Sequence, residues 1–248
     1  MQSYEHKQNN MNKENNMTRE IISVIERLLP WAVGKRGCYV NLAALISEFY
    51  QTHQNQQEPH PLEPAQMQQV INAYTAQENG DYLYGGWMED RTHIWKGTYM
   101  DAQKKYIHLG VDITAPKGTS VCVPADGTVI HVSAAEGKDV DWGTNVAIQI
   151  DEYVFVFAHL ARNSFVVPGR TIKAGTVLGS IGTWKRYENG NVFEHVHVQA
   201  LSSVAYQKHM SEGFVHFDGY GCIGDEEKLK VENPEPIHLL AKFISQQL

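Results

Sequence analysis

The sequence predicts a mainly β, antiparallel-sheet domain with an N-terminal α-helical extension, and three observations predict it. Through the first eighty positions the apolar residues recur mostly at helical spacing. From Asp81 the texture changes to short alternating runs punctuated by Gly, Pro and Asp, the pattern of antiparallel strands joined by tight turns. Length sets the scale, because 248 residues that are 42% hydrophobic bury one substantial core.

Residues 1–17, dominated by Asn, Gln, Lys and Glu, read as a disordered polar tail. Ile21, Ile22, Ile25, Leu28 and Leu29 then form one apolar helix face that stops before Pro30 and Gly34. A second helix covers Asn41 to Tyr50, and after a polar, Pro-punctuated linker a third runs from Met67 to Ala76. The helical extension and linker are thus assigned to 18–80 and the β domain to 81–248. Within that domain VCV and TVIHV flank a turn over Pro124, Ala125, Asp126 and Gly127. Val146, Ile148 and Ile150 alternate with polar neighbours up to Asp151-Glu152, where YVFVFAHL returns as a hairpin partner. VVPGRTIKAG supplies two more turns, and EHVHVQA is the last strand with functional residues.

Composition narrows the classes of function. The formal charge of -7 has no basic stripe within it, so there is no electrostatic footprint for nucleic acid or an anionic membrane surface. Cys38, Cys122 and Cys222 are an odd count without CxxC spacing, against a disulfide framework or a Cys-based zinc knuckle. The first apolar run, IISVIERLL, is broken by Glu26 and Arg27, and no segment approaches the ~20 apolar residues of a membrane span. A cytoplasmic protein without membrane insertion is expected, with export only by a route that reads no classical signal.

Five scattered residues carry the chemistry: His108 and Asp112 in HLGVD, His159 in FAHL, and His195 with His197 in HVHVQ. They supply ligands for a first-row metal with imidazoles to spare, the composition of a zinc hydrolase site rather than of a closed structural one. Each motif alone is weak, since 12 His in 248 residues give roughly half an HxH by chance. Their order within ninety residues of one β-rich segment is far rarer. Period-two alternation puts His195, His197 and Gln199 on one strand face and Val196, Val198 and Ala200 on the other. A straight strand would hold His108 and Asp112 ~13 Å apart, so the chain must bend, and Gly110 is the expected position of that bend. His159 continues the parity of Tyr153, Phe155 and Phe157.

In this order HLGVD, PADGTV, FAHL, VPGRTIKAGTVLGSIG and HVHVQ resemble the lysostaphin-type (LytM-type) zinc metallopeptidases of peptidase family M23, which have the duplicated-hybrid-motif fold. The resemblance spans residues 104–200 and leaves out the N-terminal helices. The flanks GGWMEDR and ENPEPIHLL are more loosely similar to a cytosolic subgroup fused to aminotransferase-like or kinase-like enzymes. It implies that His108, Asp112 and His197 bind Zn2+ with one position left for water, and that His159 and His195 form the catalytic pair, one as base and the other stabilising the oxyanion or protonating the leaving amine. It also implies hydrolysis of a peptide bond in a peptide or a peptidoglycan fragment. A non-catalytic binding or activator module of the same fold is the alternative. The chain departs from the family ahead of HVHVQ, where a run rich in small residues with Gly-Pro is replaced by TWKRYENGNVFE. Trp184, Arg186 and Tyr187 in that run are candidates for shaping the cleft.

Overall fold

The computed structural model describes residues 17–53, 63–97, 100–133, 142–162, 165–183, 193–211 and 218–246. Its centre is an eight-stranded sheet in the order β1-β2-β4-β11-β8-β7-β6-β9. The strands are β1 (Gly37–Tyr39), β2 (Tyr82–Gly85), β4 (Gly110–Thr114), β6 (Gly127–Ser133), β7 (Thr144–Ile150), β8 (Tyr153–Leu160), β9 (Thr171–Ile172) and β11 (His195–Ser202). All neighbours are antiparallel except β1 and β2. Two small ladders join β5 (Ser120–Cys122) to β10 (Val177–Ser180) and β3 (Lys105–His108) to β12 (Tyr220–Cys222).

The expected hairpin is present, with Ile150 opposite Tyr153 and Asp151 taking the positive φ, 54°, that a turn without glycine demands of one residue. The helices of the extension also form. The first covers 17–28; α2 (Leu42–His53) starts where the Asn41 side chain accepts the Ala44 N–H, and α3 (Pro64–Gln77) where the Gln66 side chain accepts the Glu63 N–H. None of the helices among the described residues is long and apolar enough to cross a membrane.

Alternation divides the sheet into two faces. Ile113 of β4, Val196 and Val198 of β11, Phe155 and Phe157 of β8 and Ile148 of β7 point to one side and form the main core. The first helix packs Val24, Ile25, Leu28 and Leu29 into that core, and a C-terminal helix, α7 (Pro236–Gln246), adds Ile237, Leu240, Phe243 and Ile244. A short helix, α4 (Thr92–Trp95), and three helices after Ser202 lie in what the sequence was expected to make a β domain: α5 (Ser203–Ser211), α6 (Glu226–Glu232) and α7. The buried positions of α7 fall three and four apart, a short amphipathic pattern masked by its position at the end of a β-rich stretch. α2 and α3 have a separate cluster, in which Ile46, Met67 and Ile71 meet Leu83 of β2 and Phe193 just before β11.

The Leu28 side chain is fully buried against the sheet. Leu28→Ala should cost about 2–5 kcal/mol in a urea titration and keep one cooperative transition. A loss under about 0.5 kcal/mol would mean that the first helix does not share the core.

Candidate metal centre

The face opposite the core carries the polar cluster. Register places His197 of β11 directly opposite Asp112 of β4 and Ala158 of β8, so an imidazole and a carboxylate meet across the ladder. His108 arrives from another direction. β3 leaves the main sheet to pair with β12, and the break falls at Leu109, whose N–H is taken by the Gly219 carbonyl. The bend is thus one residue before the expected Gly110. Gly110 has a different task, because a Cβ there would lie 2.5 Å from both His197 Nε2 and the Val198 carbonyl oxygen. Only glycine lets the ring of His197 lie over β4.

Parity fails at His159. Phe155 and Phe157 face the core, and so does Leu160, whereas the His159 ring lies among the site imidazoles. A bulge changes the pairing from Val146 opposite Phe157 to Thr144 opposite Leu160, and His159 absorbs it with φ of 64°. The extra residue turns the imidazole to the polar face, at a site where left-handed backbone is uncommon for any residue but glycine. The ring stacks on Trp142, with centroids 5.8 Å apart and planes at 15°, and stands 4.5 Å from the His195 ring.

The structure brings all five predicted residues together. His108 Nε2 lies 3.0 Å from His197 Nδ1, and Asp112 Oδ1 lies 3.3 Å from the first and 3.0 Å from the second. Among the described residues these three form the one group of His, Cys, Asp or Glu spaced to hold a metal ion. Tetrahedral zinc, with bonds of about 2.0–2.2 Å, asks for donors about 3.3 Å apart. The triangle is close to that size.

Hydrogen bonding on the far side of each ring shows which atoms face the centre. His108 Nδ1 is 2.9 Å from the Gly86 carbonyl oxygen, which only accepts, so Nδ1 carries the proton. His197 Nε2 is 3.4 Å from Gln199 Oε1, and the Gln199 amide nitrogen is committed to the Asp218 carbonyl and Asn233 Oδ1, so Gln199 accepts from His197. Both rings therefore turn a lone pair toward the same carboxylate oxygen. Two lone pairs and an anion at about 3 Å repel unless a cation sits among them, and second-shell bonds of this kind are what orient metal ligands. The residues fit a zinc ion.

His195 stands outside the triangle. Its Nδ1–H donates to the Phe193 carbonyl at 2.8 Å, and its Nε2 lone pair points inward, 3.5 Å from Asp112 Oδ1. Burial pushes His195 below the usual imidazole value, and burial followed by the Arg91 guanidinium pushes His108 down to about 3. Both rings are neutral at pH 7. Burial works against ionised Asp112, yet the positive charge around it, of which the Arg91 guanidinium is the permanent part, holds the carboxyl well below its ordinary range.

Arg91 is the residue that sequence reasoning missed. Its Nη1 lies 2.8 Å from Asp112 Oδ2 and 3.1 Å from the Tyr220 hydroxyl, which accepts, while Nε meets Glu89 at 2.7 Å. Arg91, Glu89 and Asp112 are all buried. The stretch GGWMEDR, noted only as a flank, runs beside β3 and supplies Gly86, Glu89 and Arg91 to the site. Trp142 and Tyr220 were also missed, since nothing in sequence spacing places an aromatic from a loop or a two-stranded ladder against a distant histidine. Trp184, Arg186 and Tyr187 lie outside the described residues.

Two outcomes follow from the charges. Arg91→Met would leave Glu89 and Asp112 buried without their cation, and the metal-free protein should lose about 3–5 kcal/mol in a denaturant titration; a loss under about 1 kcal/mol would contradict the pairing. His108 has its folded value depressed from 6.5 to about 3, so between those values the unfolded chain holds a proton that the folded chain refuses. Stability of the metal-free protein should therefore fall as pH drops through that window, by at most about 1.4 kcal/mol per pH unit from this group. Thermal melts after chelation would show it, and a midpoint rising toward acid would contradict it.

Residues 106–209 match the model of peptidase family M23. No curated protein sequence matches the chain significantly. Similar solved structures include the catalytic domain of a mutant of the prophage-encoded M23 protein EnpA from Enterococcus faecalis, at 21% identity over 49% of this chain and 82% of that one, TM-score 0.37. The catalytic domain of the antimicrobial peptidase lysostaphin from Staphylococcus simulans is 18% identical over 50% of this chain and 80% of that one, TM-score 0.35. LytU is 24% identical over 44% and 68%, TM-score 0.35. The β-rich region that carries His108, Asp112, His159, His195 and His197 is thus the part of the chain that is similar to peptidase family M23.

Proposed function

We propose that the protein is a zinc-dependent metallopeptidase that hydrolyses a peptide bond in a peptide or peptidoglycan fragment. The observation that carries this reading is the convergence of His108 Nε2, His197 Nδ1 and Asp112 Oδ1, with the outer N–H of each ring already bonded and two more imidazoles alongside. Zinc held there would supply Lewis-acid polarisation of the scissile carbonyl and a water made acidic near neutral pH.

The chain's own groups supply the remaining functions. His195 offers a neutral Nε2 lone pair toward the centre, fixed by the Nδ1–H bond to Phe193, and so accepts a proton from the attacking water. His159, stacked on Trp142 beside His195, is placed to stabilise the developing oxyanion or to protonate the leaving amine. Both roles need an imidazole within reach of the reacting carbon.

Wild-type protein should bind one zinc per chain, measured by metal analysis after dialysis, and Asp112→Ala should bind none. His159→Ala and His195→Ala should keep the metal while kcat on peptide or peptidoglycan fragments, followed by mass spectrometry, falls by about 10²–10⁴. Full metal content and turnover in Asp112→Ala would refute the site, and zinc binding with no cleavage of any fragment would favour the binding-module alternative.

A further inference from the structure

We propose that the helical extension is a working part of the site: through Phe193 and Gln68 it holds His195 in its catalytic orientation. His195 is the first residue of β11, where the ladder begins with His195 opposite Thr114, so the two residues ahead of it have no sheet partner to orient them. Both are held from outside the sheet. Phe193 is 3% exposed and is buried among Leu42, Met67 and Ile71 of α2 and α3, with Val40 and Leu83 beside them. The Glu194 N–H is donated to Gln68 Oε1 of α3 at 2.9 Å, and the Glu194 carboxylate accepts the Lys117 N–H at 3.0 Å.

The anchored Phe193 acts on His195 at two points. Its carbonyl takes the Nδ1–H and thereby selects the tautomer with a lone pair on Nε2. Its ring lies 4.4 Å from the imidazole, with planes at 32°, and limits rotation of the ring. Gln68 is itself tied by its Nε2 to Asn72 Oδ1 one turn along α3, at 3.0 Å, which leaves Oε1 to receive the Glu194 amide. The line of positioning runs from α3 through Gln68 and Phe193 to His195. The helices are therefore a fixed wall of the site, and Phe193 and Gln68 are positioning residues that need not touch substrate.

This inference rests on the reading of His195 as a catalytic group, so its test includes measurements that need no substrate. Full-length protein is prepared as wild type, Gln68→Ala, Gln68→Glu, Phe193→Ala and Phe193→Leu. Gln68 is only partly buried, so Gln68→Ala should keep the fold, checked by the same cooperative unfolding transition as wild type. NMR reads amide exchange at Glu194 and the ring-nitrogen pattern of His195, while chelator competition reads zinc affinity. Gln68→Ala should speed Glu194 exchange by about tenfold or more, and Gln68→Glu, which keeps an acceptor oxygen, should restore protection. Phe193→Ala should replace the single Nδ1–H form of His195 by a mixture, with zinc affinity changed less than about twofold, and Phe193→Leu should recover most of the wild-type pattern.

On a cleaved substrate, Phe193→Ala and Gln68→Ala should lower kcat by about 10- to 100-fold while KM moves less than about twofold. Unchanged His195 ring signals in folded Phe193→Ala and Gln68→Ala would overturn the proposal, as would a parallel loss of zinc affinity and kcat. If wild type cleaves nothing, the NMR result still decides the positioning, so failure of the hydrolase reading is seen separately.

Discussion

The whole site depends on one buried anion. Asp112 turns Oδ1 toward three imidazoles and Oδ2 toward Arg91, and almost none of it reaches water. A carboxylate in that position costs several kcal/mol unless cations repay it. Arg91 cannot repay it alone, because its guanidinium is shared with buried Glu89. Two carboxylates and one guanidinium leave a net charge of about -1 from these three groups, and His108 and His195 are held neutral by burial. The centre is electrostatically short of positive charge where the donor triangle opens, which is the condition a divalent cation relieves.

Backbone features that look unrelated exist to keep that anion and its imidazoles in place. Gly110 lets the His197 ring cross β4, and Gly86, at φ of 108°, passes so close that a Cβ would meet Arg91 Nη2 at 2.5 Å and His108 Nδ1 at 2.9 Å. The bulge at His159 moves one imidazole off the core face. Leu109 separates two strands so that His108 approaches Asp112 from a different ladder. Each feature locally weakens a regular sheet, and the apolar face beneath, with the first helix and α7 packed on it, supplies the stability that tolerates them.

Much of this was legible in the sequence. Alternation correctly separated His195, His197 and Gln199 from the valines between them, since a strand with one buried face leaves little freedom of register. Helical periodicity likewise found the first three helices. The parity of His159 was misread because a bulge is a one-residue decision taken by tertiary context, and FAHL carries no glycine or turn residue to announce it. The bend was placed at glycine when the geometry needed Gly110 for close approach and Leu109 for the break. Arg91 was invisible for a different reason: a cation twenty-one residues ahead of Asp112 becomes its partner only through β2 and β3, and no spacing rule encodes that.

Phe193, ahead of HVHVQ, and the α2–α3 cluster depend on each other. A run of small residues at the entry to the strand needs no pocket, whereas Phe193 exposes a large apolar ring next to a polar site unless something covers it. The sheet covers it only in part, through Leu83 of β2, because its core face is already filled by the first helix and α7 and its other face carries the polar cluster. α2 and α3 provide the missing surface, and in doing so they acquire contact with the Phe193 carbonyl segment that holds His195. Replacement of Phe193 by small residues would therefore remove the reason for the α2–α3 cluster to meet the site, and removal of that cluster would leave Phe193 with no position that keeps both its ring dry and its carbonyl on His195.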